Sequence, residues 1–178
     1  MTTIHYFILI NLIGGIFVIG SYILGFNSEL EDKLALWGGI TGKTRQLFTI
    51  SMLLSATAYL TFLFYMIFKG GLDNNNNNPT FIGLNIFLIL SVLFLLSASI
   101  WMPATVKFLE TSLNYWWVIA VIVLWITAIS LMTMLITLLY TNNLEHNISL
   151  NLATIGIGYI TFHCLVLDAI IWVFKFPK

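Results

Sequence analysis

Two ionisable side chains lie inside long apolar stretches of this sequence, His163 and Asp168. Burying an ionisable group among apolar side chains costs free energy, so each of the two needs a partner or a role. The functional interpretation is a ligand contact or a proton-handling site; the alternative is a polar group that joins packed helices. The two positions are five residues apart, which is about 140° around an α-helix. We therefore expect no direct contact between them.

Partners for these two side chains are expected on other elements. Arg45, which precedes the second apolar stretch, is within reach of Asp168. The candidates for His163 are amides and hydroxyls of other stretches: Asn11, Tyr59, Asn85 and Ser91. Serines and threonines inside the apolar stretches, such as Ser51 and Ser97, are expected to bond their own helix backbone or to let helices approach.

Other constellations that perform chemistry are missing from the sequence. Only 3 histidines occur, without the paired motifs that bind iron or zinc, and no glycine-rich phosphate loop is present. The 7 basic and 7 acidic residues cancel, so no field attracts nucleic acid. We therefore expect a protein that is not an enzyme, with no metal site and no nucleic-acid partner.

The elements that must position these residues are set by composition. Of the 178 residues, 60% are hydrophobic and 8% are charged, whereas a soluble domain has about 25% charged residues. The lipid bilayer is the solvent that fits, and a backbone in lipid must close its own hydrogen bonds in helices. We predict one all-α domain over residues 1–178, a bundle of five transmembrane helices. The predicted spans are 4–26, 46–68, 80–101, 116–140 and 150–174.

Aromatic residues cluster near the ends of these spans. An interfacial belt, in which amphipathic rings lie at the headgroup level, accounts for Trp101, Trp116, Trp117 and Trp172. Trp125 lies deeper, so it faces either lipid or an apolar cavity. An aromatic cavity inside a five-helix bundle would suit a flat, apolar ligand.

Short stretches of the second to fifth spans resemble the translocator protein family, the tryptophan-rich sensory proteins. They are residues 55–60 (Ser-Ala-Thr-Ala-Tyr-Leu), Trp101-Met102-Pro103 with Phe108, Leu124-Trp125 with Thr127, and Leu167-Asp168 with Trp172. Asp168 stands where the family has Asn. The first loop departs from the family, because it contains Trp37-Gly38-Gly39 where the family has a proline-rich Lys-Pro-x-Trp element. The Tyr and Trp of the family's last helix are also spaced differently from Tyr159 and Trp172.

The resemblance implies a cavity among the helices that binds porphyrins, sterols or similar apolar ligands. The matching positions that would line it are Trp37, Tyr59, Trp101, Trp125 and Asp168. His163 is not part of the family's pattern, and beside a tetrapyrrole its imidazole would be an axial ligand. The ligand-binding residues expected from the sequence are therefore these five together with His163.

Two other functions remain open at this point. A transporter or channel would need a water-filled route lined by Asn11, Asn85, His163 and Asp168. An accessory subunit of a larger membrane complex would need only an apolar outer surface. A homodimer is a further expectation, formed through small residues: Gly14, Gly15 and Gly20, or Gly156 and Gly158.

The basic residues predict the orientation of the chain in the membrane. Six of the seven fall on the side that the C-terminus shares: Lys33, Lys43, Arg45, Lys107, Lys175 and Lys178. Only Lys69 falls on the other side. Because basic loops stay in the cytoplasm, we predict an external N-terminus and a cytoplasmic C-terminus. Reporter fusions to each end test this, and a cytoplasmic N-terminus would contradict it.

Overall fold

The structure, a computed structural model, describes residues 2–74, 85–141 and 148–177. Within these residues, five helices are long and apolar enough to cross a membrane. They are α1 (Thr3–Phe26), α2 (Gly42–Phe68), α3 (Ile86–Thr111), α4 (Asn114–Thr141) and α5 (Ile148–Lys175). Two short helices, a 3₁₀ helix at Lys33–Trp37 and one turn at Gly71–Asn74, lie between them. The predicted multi-pass bundle of five helices is confirmed, and its orientation stays a prediction.

The third helix extends beyond the span predicted within it. It ends at Thr111 and not near Trp101, because it continues through Pro103. This last part of α3 carries an exposed ion pair of 2.7 Å between Lys107 and Glu110, which suits a helix end in water. Residues 80–84, where the span was predicted to begin, lie outside the described residues, as does Lys178.

Apolar side chains cover the outside of the bundle and many small polar side chains lie inside it. Leu12, Leu53 and Ile155 are each more than half exposed. Ser55, Ser97 and other small polar residues are buried. This distribution is favourable in lipid, where apolar groups cost nothing on the surface and buried hydroxyls join the helices.

The helices pack in the spatial order α1, α3, α4, α5, α2. Polar side chains link several of the pairs. Ser97 of α3 lies 2.7 Å from Thr127 of α4, hydroxyl to hydroxyl. The hydroxyl of Tyr59 on α2 donates to Asn11 on α1 at 2.7 Å. This hydrogen bond connects α2, the last helix in the spatial order, to α1, the first.

Glycines allow two of the helix pairs to approach closely. A Cβ at Gly14 would lie 2.7 Å from the Leu95 side chain, and one at Gly156 would collide with the Ala58 carbonyl oxygen. These two residues are therefore used inside the chain and are not free for the predicted homodimer. Gly15 and Gly20 have no heavy atom near such a Cβ among the described residues.

The predicted interfacial belt is wrong for two of its four tryptophans. Trp117 and Trp172 are 8% and 3% exposed, because both rings turn into the bundle. They pack on the ring of Phe176, with centroid distances of 4.6 and 4.7 Å. The three rings form a core with Phe48 at the end of the bundle that holds the C-terminus.

We predict that Gly156→Ala lowers the stability of the protein. The added methyl group must displace α2 from α5, and overpacking of this kind costs about 1–3 kcal/mol. The matched control is Gly158→Ala, two residues along the same helix, where the nearest atom is 3.9 Å away. Thermal unfolding in detergent measures both variants. Equal melting temperatures for the two would contradict the close contact at Gly156.

Candidate functional site

A π-helical stretch, His163–Trp172, interrupts α5. Its hydrogen bonds run from residue i to i+5, so residues five apart lie one turn apart on the same side. His163 Nε2 accordingly lies 3.5 Å from Asp168 Oδ2. The expectation that these side chains do not meet is wrong, because it assumed α-helical geometry throughout.

The second nitrogen of the imidazole reaches α2. His163 Nδ1 lies 2.9 Å from the Ser51 hydroxyl, which also accepts a hydrogen bond of 3.2 Å from Tyr159. The three contacts join Tyr159, Ser51, His163 and Asp168 in one series. An Nε2–H that points to the carboxylate and a Ser51 hydroxyl that donates to Nδ1 would satisfy all of them.

The partners predicted for this pair lie elsewhere. Among the described residues, Arg45 forms no ion pair with Asp168. Asn11 bonds Tyr59, and Asn85 caps α3 by accepting from the backbone of Phe87 at 2.9 Å. The predicted polar route of a channel therefore does not assemble among the described side chains, since its two amides are engaged away from His163 and Asp168.

His163 and Asp168 open onto a cavity of about 40 Å³, here named the aromatic cavity. Its wall comes from α1, the first loop, α2, α3 and α5, and consists mostly of aromatic residues. The wall residues are Tyr22, Phe26, Leu36, Trp37, Phe48, Met52, Trp101, Met102, His163, Asp168 and Trp172. All of them lie in the half of the bundle that holds the C-terminus.

The first loop closes this half of the bundle by binding to the end of α5. Trp172 Nε1 donates to the Leu36 carbonyl at 3.1 Å, and the Gly39 amide donates to the Lys175 carbonyl at 3.0 Å. Gly38 has φ 54°, and a Cβ there would lie 2.7 Å from the Phe176 ring. Gly38 and Gly39 therefore let the loop backbone approach the end of α5 closely. These two glycines also distinguish the loop from that of the translocator proteins.

Four of the six residues predicted to bind a ligand line the aromatic cavity: Trp37, Trp101, His163 and Asp168. The other two lie apart from it. Tyr59 is buried in the apolar core of the opposite half, and Trp125 is 40% exposed on the outside of α4. Of the two environments predicted for Trp125, lipid or an apolar cavity, its exposure therefore favours lipid.

Sequence patterns did not single out the remaining wall residues. Tyr22 and Phe48 have aromatic neighbours throughout their apolar stretches, so only their position in the bundle distinguishes them. Trp172 was predicted for the interface, because a tryptophan near a span end is usually there. The aspartate four residues before Trp172 was the signal that this helix end faces something polar.

One wall residue has a polar atom without a partner. The buried Trp101 Nε1 makes no hydrogen bond with any described residue. The Trp101 ring is held by its neighbours, with Trp172 at 5.4 Å and Tyr22 at 5.8 Å between ring centroids. An unpaired buried donor costs about 1–3 kcal/mol, so an acceptor that reaches this atom would be bound favourably.

Ser51, His163 and Asp168 have the residue types of a hydrolase triad, and the geometry argues against that role. The Ser51 hydroxyl is buried and is not part of the cavity wall. It already accepts a hydrogen bond from Tyr159 and contacts His163, so it is engaged inside the bundle and away from the cavity. Among the described residues, no cluster of three His, Cys, Asp or Glu side chains could hold a metal ion.

We predict that Ser51 and His163 stabilise the fold jointly. The cycle Ser51→Ala, His163→Phe and the double variant should give a coupling of about 0.6 kcal/mol, and no more than about 1.7 kcal/mol, as for other hydrogen bonds between membrane helices. Reversible unfolding in mixed micelles measures it. Ser97→Ala serves as the control partner, because Ser97 bonds Thr127 and should be additive with His163→Phe. Additive effects of Ser51→Ala and His163→Phe would contradict the hydrogen bond.

Comparison with protein-family models, with characterised proteins and with solved structures returns no match for this chain. The resemblance to translocator proteins therefore stays a prediction that rests on the short stretches of sequence that carry it. What is known of the site comes from the contacts of its own residues. The described residues form five helices that are long and apolar enough to span a membrane, as in a multi-pass membrane protein, with an aromatic cavity in one half of the bundle.

Proposed function

We propose that this protein binds a small, largely apolar molecule in the aromatic cavity, as a binding or transport protein and not as an enzyme. The observation that carries the proposal is the composition of the wall. Six aromatic rings from four helices and the first loop surround one carboxylate and one imidazole. Apolar walls with few, convergent polar groups are typical of small-molecule sites.

The size of the cavity limits the part of a ligand that it encloses. Its volume of about 40 Å³ corresponds to about three or four water molecules by the same measure. A sterol or a tetrapyrrole is much larger, so binding either would require the helices to separate or most of the ligand to stay in lipid. The cavity favours a ligand with a compact head of a few heavy atoms.

The gap between α1 and α2 is the route that we propose for entry from lipid. Both helices contribute to the wall, α1 with Tyr22 and α2 with Phe48. The hydrogen bond that joins them, between Tyr59 and Asn11, is 11 residues from Tyr22 along α1, or about 16 Å. No hydrogen bond between described residues links α1 and α2 in the cavity half. Separating the two helices there would therefore break no such bond.

We predict that filling the cavity abolishes binding. Met52 lies in the wall, whereas its neighbour Leu53 is 62% exposed on the outside of α2. Met52→Trp should fill the cavity, and the matched control Leu53→Trp should add the same ring on the lipid side. A ligand at 100 times its Kd stabilises a one-site protein by about 2.7 kcal/mol, so binding is read as a rise in melting temperature.

The ligands are a panel graded in size and charge: choline, 3-methylbutan-1-ol, indole, cholesterol and protoporphyrin. The protein is held in lipid nanodiscs. We expect at least one compound to give a saturable rise in melting temperature with the wild type and with Leu53→Trp, and none with Met52→Trp. A panel without any saturable effect on the wild type, or an effect that Met52→Trp retains, would contradict the proposal.

A further inference from the structure

We infer that the aromatic cavity recognises an organic ammonium ion, with Asp168 as the counter-charge and tryptophan and tyrosine rings around the cation. This inference rests on the proposed function, because it names the class of ligand that the same cavity takes. It follows from three observations: the state of the carboxyl group, the rings that surround it and the space that they leave.

The Asp168 carboxyl group has no Lys or Arg partner among the described residues. Its ion-pair contact is with His163 Nε2, at 3.5 Å. That separation is longer than a hydrogen bond, which leaves both carboxylate oxygens able to accept from another donor. A carboxylate in the low dielectric of a membrane is favourable only when a cation or donors compensate it.

His163 is better suited to orient the carboxylate than to neutralise it. Its Nδ1 faces the Ser51 hydroxyl at 2.9 Å, and that hydroxyl accepts from Tyr159. Ser51 can therefore donate to Nδ1, which leaves a neutral imidazole with its Nε2–H toward the carboxylate. A ligand cation would then supply the positive charge that a carboxylate at this position requires.

The cavity wall beside the carboxylate contains aromatic rings of the kind that bind ammonium groups. Tyr22, Trp37, Trp101 and Trp172 all belong to the wall. Trp101 and Trp172 meet at an interplanar angle of 76° and Tyr22 and Trp101 at 56°, so the rings turn different faces to their surroundings. A cation within about 6 Å of such faces is attracted by the ring quadrupoles, and tryptophan is the strongest of the aromatic residues in this respect.

The space fits an alkylated ammonium head better than a metal ion or a neutral group. Room for about three or four water molecules is comparable to a trimethylammonium group with its four heavy atoms. Metal ions prefer several oxygen or nitrogen ligands, and the described residues offer no cluster of three. A neutral apolar group would leave Asp168 without compensation.

The experiment compares a cation with its neutral isostere on the unmodified protein. Choline and 3,3-dimethylbutan-1-ol have the same shape and differ in charge. Both are titrated against the intrinsic tryptophan fluorescence of the protein in nanodiscs made of phosphatidylglycerol alone, with empty nanodiscs as the blank. We expect a saturable change with choline and an affinity at least about tenfold weaker for the alcohol.

Two carboxyl variants accompany this comparison. Asp168→Asn keeps the shape of the side chain and removes its charge, so it should weaken choline binding about tenfold or more and leave the alcohol unchanged. Glu110→Gln makes the same change on the exposed end of α3 and should have no effect. Melting temperatures establish that both variants are folded. Unchanged choline binding by a folded Asp168→Asn variant overturns the inference.

The outcomes separate the inference from the proposed function. Equal affinity of the wild type for choline and the alcohol overturns ammonium recognition and leaves a small-molecule cavity. Binding of neither compound overturns ammonium recognition, and the proposed function then depends on the rest of the panel. A repeat in phosphatidylcholine nanodiscs identifies the source of the cation. Weaker choline binding there indicates competition by lipid headgroups, unchanged binding indicates a free cation, and both results support the ammonium site.

Discussion

The helical geometry between His163 and Trp172 is the constraint on which the site depends. In an α-helix, a side chain at 168 would point about 140° away from one at 163. The i to i+5 pattern of the π-helix brings the carboxyl group to 3.5 Å from the imidazole and carries both into the cavity wall. π-Helices are rare because they sacrifice backbone packing, and they are frequent at functional sites. In this protein, the π-helix brings two ionisable side chains into contact in the wall of a cavity.

The same stretch of α5 also fixes the first loop. Trp172 is the last residue of the π-helix, and its indole donates to the Leu36 carbonyl. Gly38 and Gly39 let the loop approach the end of α5 without a Cβ in the way. One element therefore positions the carboxylate and also holds the loop that closes the cavity over it. A change in the winding of α5 would alter the charge and the closure of the site together.

The fold could be predicted from the sequence and the site only in part. Five long apolar stretches with few charges leave helices in lipid as the arrangement that satisfies the backbone, and the described residues contain five such helices. His163 and Asp168 could be recognised because ionisable groups in such stretches are rare. Their contact could not, since nothing in an apolar run distinguishes π from α winding. Ser51 was expected to bond its own helix backbone or to let helices approach, and its bond to His163 depends on how α2 packs on α5.

The composition of the cavity wall is hard to explain by packing alone. A bundle that only had to fold could fill this space with leucine, which carries no polar atom and leaves no void. Instead, among the described residues Trp101 has a buried Nε1 without a partner and Asp168 pairs with no Lys or Arg, and about 40 Å³ stays open between them. Each feature lowers the stability of the empty protein, and a bound cation with an acceptor atom beside it would offset all three at once. The coincidence of an unpaired donor, an uncompensated carboxyl group and a void in one place is what a ligand site, and not a structural core, would be expected to contain.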